Sequence, residues 1–266
     1  MAWKAIARSA TGTSHHKQQL PCQDYSDYQI LNEVIIGSVA DGAGSAKHAQ
    51  VGAKLAVKTV LEYLTGVEQW LQKRQKFEEL IAKPPTEAEA RKLFVKTVSK
   101  VVTALQAQAI EGGYSVDDLA CTLLVLVATP NWVIAMQIGD GFITLRCQEE
   151  DLQLLFSPDK GEYLNETTFV TSADALTAIQ VCVRLGKPDF ICAATDGLER
   201  VAIRMSDWTP FPPFFQPLEE YLRETKHPEQ EDEYPMTFLN SDRLNARTDD
   251  DKTLFLCCYD RCLDSR

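Results

Sequence analysis

The chain has 266 residues, 45% of them apolar and 24% charged, with a formal net charge of −11. That length suits one large domain, or at most two small ones, with enough apolar side chain for a sizeable core. The acidic balance repels phosphate backbones and anionic headgroups, which argues against nucleic acid or a membrane surface as partner. No stretch approaches the roughly 18 apolar residues of a membrane span.

In chain order, residues 2–9 form a candidate opening strand, and residues 11–24 are polar and loop-like up to Pro21-Cys22-Gln23-Asp24. Tyr25–Leu31 and Val34–Ala40 read as two strands of a hairpin turning at Asn32-Glu33, the second apolar enough to be buried on both faces. Asp41-Gly42-Ala43-Gly44-Ser45 follows, then a helix to about Leu64. Its Ala53, Ala56, Val57, Val60, Leu61 and Leu64 have the spacing of one helical face. A second helix is expected from Thr86 to Ile110, opened by a Thr86/Glu89 capping box, with residues 65–85 as a polar connection broken at Pro84-Pro85.

From Leu119 the pattern becomes strand-like: Leu119–Thr129, Trp132–Ile138, Phe142–Cys147, Leu152–Phe156, Ile179–Leu185 and Phe190–Thr195. Residues 157–178 and the proline- and aromatic-rich 206–217 read as loops, and loops on a scaffold carry specificity. Pro217–Thr225 reads as a short helix, 226–251 as an acidic excursion, and Thr253–Tyr259 as a last strand. Strands, two helices, many strands, a short helix and a final strand fit an α+β sandwich rather than alternating βαβ units. The eight cysteines form no C-x-x-C pair and several sit in apolar runs. Reduced thiols in a cytoplasmic protein are expected.

The informative pattern is acidic. Asp41-Gly42, Asp140-Gly141 and Asp196-Gly197 each follow an apolar strand, and Asp249-Asp250-Asp251 precedes the last one. One Asp-Gly after a strand is ordinarily a turn. Four acidic strand ends can meet at one edge of a sandwich. Two carboxylates about 4 Å apart repel by roughly 4 kcal/mol at an effective dielectric of 20, so such a cluster calls for cations. Aspartate oxygens suit Mg²⁺ or Mn²⁺, whereas four histidines without H-x₃-H or HExxH spacing disfavour zinc. No G-x-S-x-G elbow and no phosphate-binding G-x-x-x-x-G-K-[ST] loop is present.

The strings VADGAGSA (39–46), CTLL (121–124), IGDG (138–141), AATDGL (193–198) and DDKTLFLC (250–257), in this order, resemble the metal-dependent serine/threonine protein phosphatases, the PPM or type 2C family. The stretches Pro21–Asp24 and Gly161–Thr167 are closer to a bacterial subgroup. The resemblance implies one domain over 1–266 with a core of about 12–258. The implied fold is a four-layer αββα sandwich, two packed antiparallel sheets flanked by helices. It implies two Mg²⁺ or Mn²⁺ ions, with a third left open. Asp41 would bridge both metals, the Gly42 carbonyl would join one, and Asp196 and Asp250 would ligate the other. Asp24 would orient a metal-bound water, and Asp140 matches a third-metal position. The implied reaction is hydrolysis of phosphoserine and phosphothreonine by direct attack of a water between the ions.

Four departures stand out. Gln23-Asp24 replaces Glu-Asp, Asp250-Asp251 replaces Asp-Asn, and Arg200 stands where an acidic residue is usual. The family's phosphate-binding arginine has no clear counterpart; His15, His16 and Lys17 are the nearest residues. His15 or His16 is also a candidate general acid, with the right ordinary pKa range. Phosphorylated proteins are the expected partners, with a cognate kinase possible and a monomeric state expected. Two alternatives stay open: a phosphoprotein-binding pseudophosphatase and a non-catalytic cation-binding domain.

Overall fold

The computed structural model describes residues 2–73, 81–148, 150–156, 167–228, 230 and 233–260. Strand β1 (Ala2–Ala10) leads into a helical turn and a half, α1 (Thr13–Gln18), inside what the sequence presents as a loop. The hairpin β2 (Tyr25–Leu31) and β3 (Val34–Ala40) has the expected bounds. Its turn places Asn32 at φ 54, a left-handed conformation that asparagine tolerates. All seven residues of β3 are buried.

Helix α2 spans Ala49–Lys73. It outlasts the expected end at Leu64 because no proline intervenes and the glycine at 66 costs only about 1 kcal/mol. Helix α3 spans Glu87–Gly112 behind the expected capping box, with Thr86 Oγ1 accepting from Glu89 N and Thr86 N donating to Glu89 Oε2. It ends at Gly113, φ 70, in a left-handed cap. The part of the 65–85 connection at 74–80 lies outside the described residues.

Strands β4 (Leu123–Ala128), β5 (Trp132–Ile138), β6 (Phe142–Cys147), β7 (Gln153–Leu154), β8 (Gln180–Leu185) and β9 (Pro188–Ala194) follow. The run from Leu119 becomes a strand only at Leu123, since Val116–Leu119 is a 3₁₀ turn capped by Ser115. After the short ribbon β10 (Ile203–Arg204) and β11 (Thr209–Pro210), helix α4 covers Pro212–Glu224. It starts five residues before the expected Pro217 because prolines in a first turn forfeit no helical hydrogen bond. Its Phe214 and Phe215 are buried, so the 206–217 segment is partly core. The acidic excursion also contributes to packing: α5 (Glu233–Leu239) and the turn Asp242–Asn245 bury Leu239 and Leu244. Strand β12 (Lys252–Asp260) closes the fold.

Two antiparallel five-stranded sheets result, in the orders β1-β12-β9-β6-β7 and β2-β3-β4-β5-β8. Alternation along the central strands feeds three apolar layers. In β12, Leu254, Leu256 and Cys258 face α4, while Phe255, Cys257 and Tyr259 face the other sheet. In β3, Ile35 and Val39 face between the sheets, and Ile36 and Ala40 meet α2 and α3. The fold is therefore the αββα sandwich, class α+β. Arg146, Asp189, Glu219 and Arg223 link α4 to β6 and β9, with Arg223 2.9 Å from Asp189 and 2.8 Å from Glu219. The seven described cysteines are free. Among the described residues no helix is long and apolar enough to cross a membrane.

The inter-sheet layer depends on a close fit. A Cβ at Gly37 would lie 2.3 Å from the Phe255 ring, so the glycine makes room for a fully buried aromatic side chain of the opposite sheet. Phe255→Ala is expected to destabilise the protein by about 3–5 kcal/mol through the cavity it leaves, read from denaturant unfolding.

Candidate active site

At one end of the sandwich, strand ends deliver carboxylates. Asp41 leaves the end of β3 and is clamped by Thr122. Asp41 N donates to Thr122 Oγ1 at 3.0 Å, and Thr122 N donates to the Asp41 carbonyl at 2.8 Å. Gly42 bridges Cys121, and Ala43 N donates to the Ala120 carbonyl at 2.9 Å. Residues 41–43 thus run antiparallel to 120–122, which gives the Cys-Thr pair before β4 its structural purpose.

Asp24 stands just before β2 and is buried. Thr195, between β9 and Asp196, donates to Asp24 Oδ2 at 2.8 Å and accepts from Thr253 N at 3.1 Å. One hydroxyl therefore ties together three segments that are distant in sequence. Asp196 opens the 3₁₀ turn Asp196–Leu198. Asp140 sits in the β5–β6 turn, which Gln137 braces by donating to the carbonyls of Gly139 and Gly141, and its Oδ2 accepts from Thr167 Oγ1 at 2.6 Å. Asp250 precedes β12 and its Oδ1 accepts from Asp251 N at 2.8 Å.

These carboxylates act on one another. Burial, the charges of Asp24 and Asp196, and hydrogen bonds to both push Asp41 up to about 12. It stands in the middle of the row Asp24–Asp41–Asp196. Burial and the charge of Asp251 push Asp24 up to about 7. Burial and the charge of Asp140, with Asp250 further off, push Asp196 up to about 6 against the hydrogen bond from Asp41. Burial raises Asp250 as well. Of the predicted acids, Asp24, Asp41 and Asp196 are in contact, and Asp140 and Asp250 lie within electrostatic reach of Asp196.

His15 is placed differently. Its Nδ1 lies 3.0 Å from Asp251 Oδ2. It lies near enough to Asp250 to oppose the rise of that carboxyl. His16 and Lys17 on the same helix are exposed. His48 packs on Tyr114 with ring centroids 4.2 Å apart.

Four residues of the site escaped the sequence reading as participants. Thr195 and Thr122 are the hydroxyl clamps. Asp251 is buried and accepts from Gly12 N and Gln23 N, each at 2.6 Å. Glu199 is raised by burial and by the charges of Asp196 and Asp140. The run Asp249-Asp250-Asp251 was a visible signal, but only three dimensions separate its members.

Among the described residues no three His, Cys, Asp or Glu side chains close into a ready-made ligand group. The contacts form the row Asp24–Asp41–Asp196. The donor set nevertheless fits hard cations. It is oxygen throughout, Asp41 and Asp196 are half-buried, and Asp196 Oδ1 is buried without a hydrogen-bond partner among the described residues. Buried Lys252 donates to Asn245 Oδ1 at 3.0 Å, so its ammonium is directed to that amide.

An αββα sandwich with a row of aspartates at one end defines the class of type 2C-like phosphatase folds, and the comparisons agree. The chain belongs to the protein phosphatase 2C family, whose model matches residues 11–233. It is 35% identical to serine/threonine-protein phosphatase 3 of Escherichia coli (strain K12) over 271 residues, covering 97% of this chain and 99% of that protein. Among solved structures it resembles the serine/threonine phosphatase of S. agalactiae, with TM-score 0.61, 14% identity, and 97% and 100% of the two chains covered. It also resembles the catalytic domain of the serine/threonine protein phosphatase PstP in complex with two manganese ions, with TM-score 0.57, 14% identity, and 97% and 98% covered.

Proposed function

We propose that this chain is a Mg²⁺- or Mn²⁺-dependent protein phosphatase, one domain over 1–266, that hydrolyses phosphoserine and phosphothreonine. The observation that carries the reading is the row of carboxylates Asp24–Asp41–Asp196 at one end of the sandwich, where full or partial burial and the charges of neighbouring carboxylates raise all three above the ordinary carboxylate range. Family membership and the 35% identity to a serine/threonine-protein phosphatase support the same activity. Asp41, the Gly42 carbonyl, Asp196 and Asp250 would hold two ions, and Asp140 would contribute to a third. Such ions supply positive charge to the phosphoryl oxygens and make a nearby water more acidic.

The chain's own groups do the rest. Asp24, fixed by Thr195, orients the attacking water. The water oxygen bonds phosphorus in line as the bond to the serine or threonine oxygen breaks. His15 supplies the proton that the leaving alkoxide takes up. Phosphorylated proteins, products of a serine/threonine kinase, are the substrates, and the enzyme works as a cytoplasmic monomer.

The test is turnover of a phosphothreonine peptide and of p-nitrophenyl phosphate with Mn²⁺, then with chelator. Hydrolysis of both substrates that stops with chelator and returns with metal is expected. A folded, manganese-binding protein inert toward both would overturn the reading, and peptide binding without turnover would mark a phosphoprotein-binding module.

A further inference from the structure

The loop between β1 and β2 carries two groups that the proposed reaction uses, His15 and Asp24, yet it has little core of its own: α1 buries no residue. Its position comes from the segment before β12. Asp251 Oδ1 accepts from Gly12 N and Oδ2 accepts from Gln23 N, both at 2.6 Å, so one carboxylate gathers the two ends of the loop. Ser14 N donates to the Asp249 carbonyl at 2.9 Å. The approach is so close that a Cβ at Gly12 would lie 2.3 Å from the Asp250 carbonyl carbon. Into this junction points His15 Nδ1, buried, 3.0 Å from Asp251 Oδ2 and without a hydrogen-bond partner among the described residues. The contact falls short of hydrogen-bond alignment, but it sets a carboxylate oxygen of Asp251 beside that nitrogen.

We propose that Asp251 is a positioning residue that fixes the ring of His15 through Nδ1 and leaves Nε2 as the atom that exchanges a proton with the substrate's leaving oxygen. The inference rests on the phosphatase reading and adds to it which nitrogen works and what holds it. A carboxylate is needed because it offers acceptor sites on both oxygens for the two amides and a charge for the ring, where an amide side chain has a single acceptor oxygen. In the step, water oxygen bonds phosphorus, the phosphorus–oxygen bond to serine or threonine breaks, and the leaving oxygen takes the Nε2 proton. The proton lost by the attacking water restores it, so alcohol and inorganic phosphate are the only products.

A proton donor matters most for a poor leaving group. A serine or threonine alkoxide needs it; p-nitrophenolate departs without it. For Asp251→Asn, and for His15→Gln, which leaves the two amide bonds of Asp251 in place, kcat on a phosphothreonine peptide should fall by about 10²-fold. The fall on p-nitrophenyl phosphate should be severalfold at most, with KM for the peptide and Mn²⁺ binding by calorimetry near wild type. Because one residue acts through the other, the double variant should lose no more than His15→Gln alone. Equal losses on the two substrates, multiplicative losses in the double variant, or a wild-type rate for Asp251→Asn would each overturn this role while leaving the phosphatase reading intact. If Asp251→Asn does not fold, His15→Gln still decides through its substrate selectivity. A wild-type protein inert toward both substrates would overturn both readings.

Discussion

Asp196→Asn should abolish manganese-dependent hydrolysis while leaving the fold standing. The substitution keeps the shape of the side chain and removes one charge from a neighbourhood that already holds Asp41, Asp140 and Asp250. Nothing apolar is lost, so the metal-free variant should melt at or slightly above the temperature of the metal-free parent. The effect on chemistry runs the other way. Asp196 is the one member of the row with a buried oxygen lacking a hydrogen-bond partner, and an amide there offers a cation a neutral oxygen in place of a charged one. Loss of a group that organises transition-state charge costs on the order of 10²–10³ in rate, and a ligand shared with metal affinity should cost at least that. The measurements are kcat/KM on a phosphothreonine peptide, Mn²⁺ calorimetry and a thermal melt of the same sample. Unchanged turnover would remove Asp196 from the site, and collapse of the metal-free fold would make it structural.

Much of this arrangement was legible in the chain because it is written in local patterns. The β2–β3 hairpin was set by two apolar runs about Asn32-Glu33, and the start of α3 by the Thr86/Glu89 box. The acidic strand ends were visible because Asp-Gly after an apolar run is a local feature, and the order of the strings indicated the family. What stayed hidden is non-local. Nothing around Thr195 says that its hydroxyl reaches Asp24 across 171 positions. Nothing in the triple aspartate says that Asp251 is buried and gathers Gly12 and Gln23 while its neighbour Asp250 stays exposed. Composition misled at 206–217: proline and aromatics read as a loop, but proline suits a first helical turn and Phe214 and Phe215 of α4 pack into the core. The same holds for 226–251, where Leu239 and Leu244 are few enough to miss and still fill the outer layer. Part of the 157–178 loop, at 157–166, lies outside the described residues; its end at Thr167 touches Asp140.

The second large effect should appear without substrate. In chelator, the melting temperature is expected to fall as pH rises from about 5 to 8, and added Mn²⁺ should restore it most at the upper end. The sign follows from proton counting. Asp24, Asp41 and Asp196 all have native values above the ordinary 3.8, at about 7, about 12 and about 6. Above pH 4 the unfolded chain has released protons that the native site still holds, so stability decreases with pH. The contribution of Asp196 is lost by about pH 6, that of Asp24 by about pH 7, and that of Asp41 continues beyond. Asp189 works oppositely: burial raises it, but Arg146 and Arg223 outweigh burial and leave it below the ordinary range, so its stabilisation fades only below about pH 4. Divalent cations compete with protons for the same oxygens. At a free Mn²⁺ concentration 100 times Kd the native state gains about 2.7 kcal/mol, which for a chain of this size amounts to roughly 5–10 °C. The shift should be visibly larger at pH 8 than at pH 5. A melting temperature that rises with pH in chelator, or a manganese shift equal at both pH values, would mean that the three aspartates do not share a proton where a cation is meant to sit.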